Sequence, residues 1–241
     1  MHRYYSLIII YFFVGCSTDK MSEEISLSSL LSSKDIVLDN VISCAASNKN
    51  DKLISVYLFP REGATNIQYF ETINDKVDKN NYDNYNFYEF PLSDVFNGYL
   101  KKFEVPSSND KWVIVSFEED GKTHLSNPIH LKQQTKPTEH LQQSVMVDAS
   151  TDMPFFSWQD GLYDDTKIYF QVVSDTQNNL FSGTYTFDKM FTYYKLDNVV
   201  LNITKNTPPV LSGANFYEFT LMGVSEDNWV NQFSITAFEL E

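Results

Sequence analysis

Trp112-Val113-Ile114-Val115-Ser116-Phe117, followed by Asp120-Gly121 and then Thr123-His124-Leu125, is the stretch that decides the fold. A β-branched and aromatic run of this kind suits a pleated, half-buried surface. Asp-Gly between two such runs is a hairpin signal, because a tight turn that matches strand twist needs positive φ at both central residues. Working outward, the same texture repeats. Leu53-Ile54-Ser55-Val56-Tyr57-Leu58-Phe59 is halted by Pro60, and Ile67-Gln68-Tyr69-Phe70-Glu71-Thr72-Ile73 alternates with period two. Ile36–Leu38, Val41–Ala45, Asn86–Phe90, Tyr99–Phe103 and Ile129–Leu131 complete a first block of strands. A second block begins at Pro154-Phe155-Phe156-Ser157-Trp158 and continues through residues 167–174, 180–187, 199–204, 216–224 and 232–240. No long helical pattern interrupts either block.

The expected fold class is therefore all-β, with two consecutive antiparallel β-sandwiches of about 100 residues each. The expected divisions are a signal peptide over 1–15, a lipidated N-terminus and flexible tether over 16–34, and a first sandwich over 35–132. A linker over 133–151 and a second sandwich over 152–241 follow. The tether is read from its Ser-rich polarity, and the linker from its Gln pairs, Pro137 and lack of periodicity. Phe156 and Trp158 share one strand face by alternation and are expected to face the core.

Composition limits the partners. The chain has 241 residues, 18 Lys+Arg against 32 Asp+Glu, and a net charge of −14. This balance argues against nucleic acid, whose phosphates need a basic face. It also argues against binding anionic lipid through the protein surface. Aromatic residues are abundant, with 19 Phe, 15 Tyr and 3 Trp, which again favours strands. Of two cysteines, Cys44 lies among small and apolar residues and reads as a buried hydrophobe.

The other cysteine carries a resemblance. Residues 1–16 read as a basic start, an apolar run Leu7–Phe13, and Val14-Gly15-Cys16. This pattern is a secretory signal, and its ending is similar to the lipobox of bacterial lipoproteins, with Phe13 where Leu is usual. The apolar run is far short of the roughly 20 residues that span a bilayer. The resemblance implies cleavage before Cys16, acylation of that residue with palmitate-class chains, and a membrane partner reached through lipid. It also implies a place in the cell envelope, on the outer membrane, facing the periplasm or the surface.

A second resemblance rests on Phe156-Ser157-Trp158, Ile168–Val172 and Tyr217–Val224, which look like strands of fibronectin type III domains. That family places a Trp on an early strand and a Tyr at the start of a late one, both in the core, so Tyr169 and Tyr217 are expected near Trp158. The first block is similar more faintly, through residues 112–117 and 126–129.

Three stretches stand out as candidate sites. Residues 77–88 interleave Tyr and Asn with Asp in a long loop, so Tyr82, Tyr85 and Tyr88 are candidate ligand contacts, since such residues serve adaptable binding loops. The alternative is a loop that packs over a sheet edge. Glu226-Asp227-Asn228-Trp229 lies between two late strands. An exposed Trp229 beside Asn228 would suit carbohydrate stacking, whereas a Trp folded back would cap the sandwich. Asp160-Gly161-Leu162-Tyr163-Asp164-Asp165 groups three carboxylates but does not match a calcium loop, and reads as a turn.

No catalytic residue, metal ligand set or cofactor is expected. The histidines lack zinc spacing, and neither a nucleophile elbow nor a phosphate-binding Gly loop occurs. The expectation is a non-enzymatic, lipid-anchored binding protein that captures a glycan or another extracellular polymer. The alternative is a structural or accessory subunit of an envelope assembly, transport or secretion complex.

Overall fold

The computed structural model describes residues 25–106 and 109–240. The expected signal peptide and Cys16 lie outside the described residues.

Nineteen strands form four sheets among the described residues. Sheet I takes β1 (Ile36–Val41), β9 (Lys122–Ser126), β8 (Lys111–Glu119), β4 (Thr65–Glu71) and β5 (Asn86–Tyr88) in that order, with β10 (Ile129–Leu131) also on β8. Sheet II takes β2 (Ser43–Ser47), β3 (Leu53–Leu58), β7 (Leu100–Pro106) and β6 (Leu92–Val95). Sheet III runs β11 (Glu139–His140), β19 (Val230–Glu239), β18 (Phe216–Ser225), β14 (Thr166–Asp175), β15 (Leu180–Thr186) and β17 (Val199–Asn202). Sheet IV is β12 (Val145–Asp148), β13 (Phe155–Trp158) and β16 (Met190–Thr192). The Asp120-Gly121 turn joins β8 to β9 with φ of 50° and 75°, the pair of positive values that its sequence demands.

The two sandwiches follow one path. In each, a leading strand runs parallel to a late one: β1 on β9, and β11 on β19. The next two strands pair with a later one in the second sheet, as β2-β3-β7 and as β12-β13-β16. The remaining strands give the orders β9-β8-β4-β5 and β19-β18-β14-β15. They differ in β6 and β10 of the first and β17 of the second.

Alternation assigns each face. Val113, Val115 and Phe117 of β8 meet Ile54, Val56 and Leu58 of β3 in the first core. On the opposite face of sheet I, Phe70, Ile114 and Leu125 are covered by α1 (Leu27–Leu31) and Tyr85. The second core joins Phe156 and Trp158 of sheet IV to Tyr169, Tyr217, Phe219 and Phe238 of sheet III. Phe156 stacks on Phe219 at 4.0 Å, and Trp158 meets Tyr169 edge-on at 5.4 Å. The expected inward face of β13 and the expected contact of Trp158 with Tyr169 are thus observed, whereas Tyr217 lies in the same core with its ring against Phe181 and Phe238. The Tyr217 hydroxyl donates to the Ser212 carbonyl at 3.1 Å and accepts from the Ser212 N–H at 3.0 Å, the tyrosine corner of sandwich folds.

A third apolar cluster lies between the sandwiches. Cys44, Ala46 and Leu100 of sheet II pack with Phe170, Val172, Met222 and Val224 of sheet III. The four sheets therefore stack as I, II, III and IV, each middle sheet buried on both faces. The Cys44 thiol sits in this interface, and burial pushes its pKa up to about 12. It fills space as a hydrophobe and is not poised as a nucleophile.

Two expected divisions differ from the structure. The tether was expected to reach residue 34, but the chain is docked from Ile25. The Ile25 carbonyl accepts from Phe87 N–H at 3.0 Å, and Leu27 N–H donates to Tyr85 O at 2.9 Å. Ser26 caps α1 through its side chain. Burial of Leu27 and Leu31 drives the docking, which the Ser-rich composition conceals. The expected linker over 133–151 supplies β11 and β12, and Thr138 is buried, its hydroxyl donating to Val230 O at 2.8 Å and accepting from Ser47 N–H at 2.9 Å. This segment is a structural seam, not a free spacer.

Candidate functional site

The candidate contact residues do not converge. Tyr85 is fully buried against α1, and its hydroxyl donates to Lys79 O at 2.7 Å. Tyr82 is partly buried in the same cluster. Tyr88 remains 41% exposed and stacks with Phe90 at 6.2 Å. The loop covers the outer face of sheet I because Tyr85 closes the gap beside α1. Three tyrosines spaced three apart in sequence thus take three different exposures.

Trp229 overturns the expectation of an exposed stacking ring. It is fully buried, and it belongs to the core of the first sandwich although it sits on the β18–β19 turn of the second. Its Nε1–H donates to Lys136 O at 2.7 Å. Asn228 takes φ of 62°, which Asn tolerates. Its carbonyl accepts from Ala45 N–H at 3.0 Å, and its amide donates to Pro128 O at 3.2 Å. Asn228 therefore positions the plug. Beside it, Asp227 pairs with Lys132 at 2.8 Å and His130 at 3.2 Å, and Ser225 donates to it at 2.6 Å. Burial alone would raise this carboxyl's pKa, but the hydrogen bonds from His130, Lys132 and Ser225 outweigh it and hold it well below the usual range. This turn of the second sandwich is thus anchored in the first, in addition to the apolar cluster that joins sheets II and III.

The carboxylates of residues 160–165 are dispersed among partners. Asp160 pairs with Lys189 at 2.6 Å and accepts from Tyr169, while Asp165 pairs with Lys136 and accepts from Asn231 at 2.9 Å. Among the described residues no group of His, Cys, Asp or Glu is placed to hold a metal ion, and no helix is long and apolar enough to cross a membrane.

Among several concavities of similar volume, a groove of about 410 Å³ lies at one end of the interface between sheets II and III. Sheet II contributes Ala46, Ser55, Tyr57 and Lys102, and sheet III contributes Phe233 and Ile235. Asn48 and Lys49, from the β2–β3 turn, and His140 to Gln142, from the end of β11 onward, form its ends. The volume falls within the range of small-ligand sites, which favour domain interfaces.

Polar groups in the groove are arranged in part by each other. The Ser55 hydroxyl donates to Asn48 Oδ1 at 2.7 Å. His140 Nε2 faces the Ser47 carbonyl at 2.7 Å, and since a carbonyl only accepts, Nε2 carries the proton. Burial pushes the Tyr57 phenol up to about 12, so it stays neutral. Lys102 donates to Glu104 at 2.7 Å and, against burial, holds that carboxyl below its ordinary range. Lys49 is exposed and has no ion-pair partner among the described residues. Sequence reasoning missed this site, because its walls come from residues 46–57, 102, 140–142 and 233–235 and no local motif marks them.

No family model matches the chain, and no curated protein matches it. Solved structures do match in part. A cytokine receptor complex aligns over 78% of this chain and 91% of its own at 11% identity, with a TM-score of 0.28. A two-domain fibronectin type III segment from chicken tenascin covers 83% of this chain and 98% of its own at 11% identity and a TM-score of 0.26. The BSP domain of a biofilm-associated protein aligns at 12% identity over 83% of this chain and 29% of its own, with a TM-score of 0.27. At such scores the assignment to tandem β-sandwiches rests on the strand order and cores described above.

Proposed function

We propose that this protein is a non-catalytic, lipid-anchored binding protein of the cell envelope, which captures a glycan or another extracellular polymer in the groove between sheets II and III. The observation that carries this reading is the groove itself: polar side chains converge with Tyr57, Phe233 and Ile235 at a rigid sheet–sheet junction. Rigid walls hold contact residues in place before binding and so lower the ordering cost. The test is a glycan and envelope-extract screen of the full chain, with hits mapped by amide NMR. A true ligand shifts residues 46–49, 140–142 and 233–235 first. Hits whose shifts lie elsewhere defeat the groove as the binding site.

The membrane attachment is read from Val14-Gly15-Cys16. Two or three acyl chains hold a protein stably on a bilayer, whereas one does so only marginally. Cys16→Ser is expected to abolish incorporation of labelled palmitate and to move the protein from the membrane fraction to the soluble one. A variant that still incorporates label and stays with membranes removes the assignment.

A second reading, an accessory subunit of an envelope complex, is favoured by one observation. On the outer face of sheet IV, Met146 and Met190 flank Ser157 in register, and with Phe155 they are 67%, 45% and 38% exposed. Apolar residues gathered on one sheet face suit a protein contact.

A further inference from the structure

We propose that the outer face of sheet IV docks a protein that presents apolar side chains ringed by Lys or Arg. The inference rests on the second reading above, a protein contact at this face, and adds the chemistry of the partner. It is independent of the groove. Three observations carry it. First, this face is uncovered. α1 and Tyr85 cover the outside of sheet I, and sheets II and III cover each other. On sheet IV, alternation turns Val147, Phe156, Trp158 and Phe191 inward and leaves Met146, Phe155 and Met190 outward and exposed. Second, the face is built of adaptable apolar groups. Met146 and Met190 lie either side of Ser157, and in the next row Phe155 lies between Asp148 and Thr192. Met153, in the β12–β13 turn, is also exposed, so three of the chain's six methionines gather here. Unbranched thioether side chains adapt to an uneven apolar surface. Third, the charge around the patch is one-sided. Asp148 stands on the face itself, Asp152 in the β12–β13 turn and Asp188 two residues before Met190, all exposed. Hydrogen bonds from Ser150 hold the Asp148 carboxyl below its ordinary range. Lys189 is paired with Asp160 at 2.6 Å, and Lys195, past the end of β16, is a single cation against the three carboxylates.

These charges choose among occupants. A second copy brings the same carboxylates to the same patch, so like charges oppose self-association. An anionic bilayer is repelled likewise, and the described chain enters the stack at sheet I, the opposite end. A partner with Lys or Arg around an apolar centre meets Asp148, Asp152 and Asp188 at the rim and covers Met146, Phe155 and Met190 in the middle. An apolar centre within a polar rim is the ordinary anatomy of a protein interface. Rim charges steer encounter and are screened by salt, so binding weakens as ionic strength rises.

The test places a photo-cross-linking phenylalanine analogue at position 190 of the full-length chain, in the cells that make it. Position 73 is the control, because Ile73 is 77% exposed on the first sandwich. A protein adduct is expected from position 190 and not from position 73. Mass spectrometry identifies the partner, which is then purified and titrated calorimetrically against the full chain in detergent. Met146→Ser and Asp188→Lys are each expected to weaken binding about tenfold. Raising NaCl from about 50 to about 500 mM should weaken the parent more than Asp188→Lys. Both side chains are exposed, so the melting temperatures of the variants should match the parent's. A partner that binds parent and Asp188→Lys equally overturns the basic ring and leaves the protein contact in place. Indifference to Met146→Ser puts the contact off this face and overturns both. An adduct with lipid or with a second copy, or none that distinguishes position 190 from position 73, also overturns both.

Discussion

Trp229→Ala is expected to destabilise the protein by about 3–5 kcal/mol, the range for removing a fully buried Trp. The indole is 0% exposed, and it packs among Ala45, Ile54, Val113 and Ile129 of the first sandwich while its backbone belongs to the second. Truncation removes the apolar contact, opens a cavity and leaves the Lys136 carbonyl without its 2.7 Å donor. Because the side chain crosses between sandwiches, the loss should also split the unfolding transition. Calorimetry of the parent should show one cooperative transition, and the variant should show two, as each sandwich melts at its own temperature. A parent-like melting curve for Trp229→Ala would put the ring back on the surface and restore it as a candidate ligand contact.

Trp158→Ala should cost a similar amount, about 3–5 kcal/mol, by a different route. Trp158 is 1% exposed at the centre of the second core, against Tyr169 at 5.4 Å and Phe219 at 5.9 Å. Its indole N–H is buried without a hydrogen-bond partner among the described residues. An unpaired buried donor is itself a cost of about 1–3 kcal/mol. Trp158→Phe, which removes that donor and keeps a ring, should therefore lose far less than Trp158→Ala. Trp229→Phe lacks this compensation, because its donor is paired. Urea midpoints of the four variants test the contrast. Equal losses for the two Phe variants would show that the Trp158 N–H is satisfied in solution, and a stable Trp158→Ala would reverse the assigned face of β13.

Much of the fold was legible in local pattern. Period-two alternation marks β4, and β-branched and aromatic runs mark β3, β8 and β14, which are buried on both faces. Asp120-Gly121 announces its turn, and Phe156 and Trp158 announce the inward face of β13. What escaped is instructive. The strands β6, β11, β12 and β16 have two to four residues each, too few for alternation to show, and they exist because a neighbouring strand offers hydrogen bonds. The helix α1 has five residues, three of them Leu. So short a helix does not hold in isolation and forms here because Leu27 and Leu31 find Phe70 and Ile114.

The candidate site shows the same division more sharply. Tyr82, Tyr85, Tyr88, Asn228 and Trp229 have the residue types of a binding surface, yet type alone does not say which side of a ring meets water. Burial is settled by what arrives from elsewhere in the chain: α1 over Tyr85, and the first core around Trp229. The groove is the converse case, with ordinary residues made a site by proximity.

The sequence by itself determined the class of fold, the two-block organisation, the inward face of the Trp158 strand, the hydrophobic character of Cys44 and the acidic balance of the surface. These follow from short-range pattern, where each residue's preference is felt within a strand or a turn. Only the tertiary structure decided that sheets II and III stack face to face, that Trp229 crosses into the other sandwich, and that Lys49, His140 and Phe233 share one groove. The physical reason is that sheet faces bury whatever apolar surface they meet, and the partner of a face is chosen by packing between segments far apart in the chain, as in the one cluster that holds both Cys44 and Phe233, which no local period records.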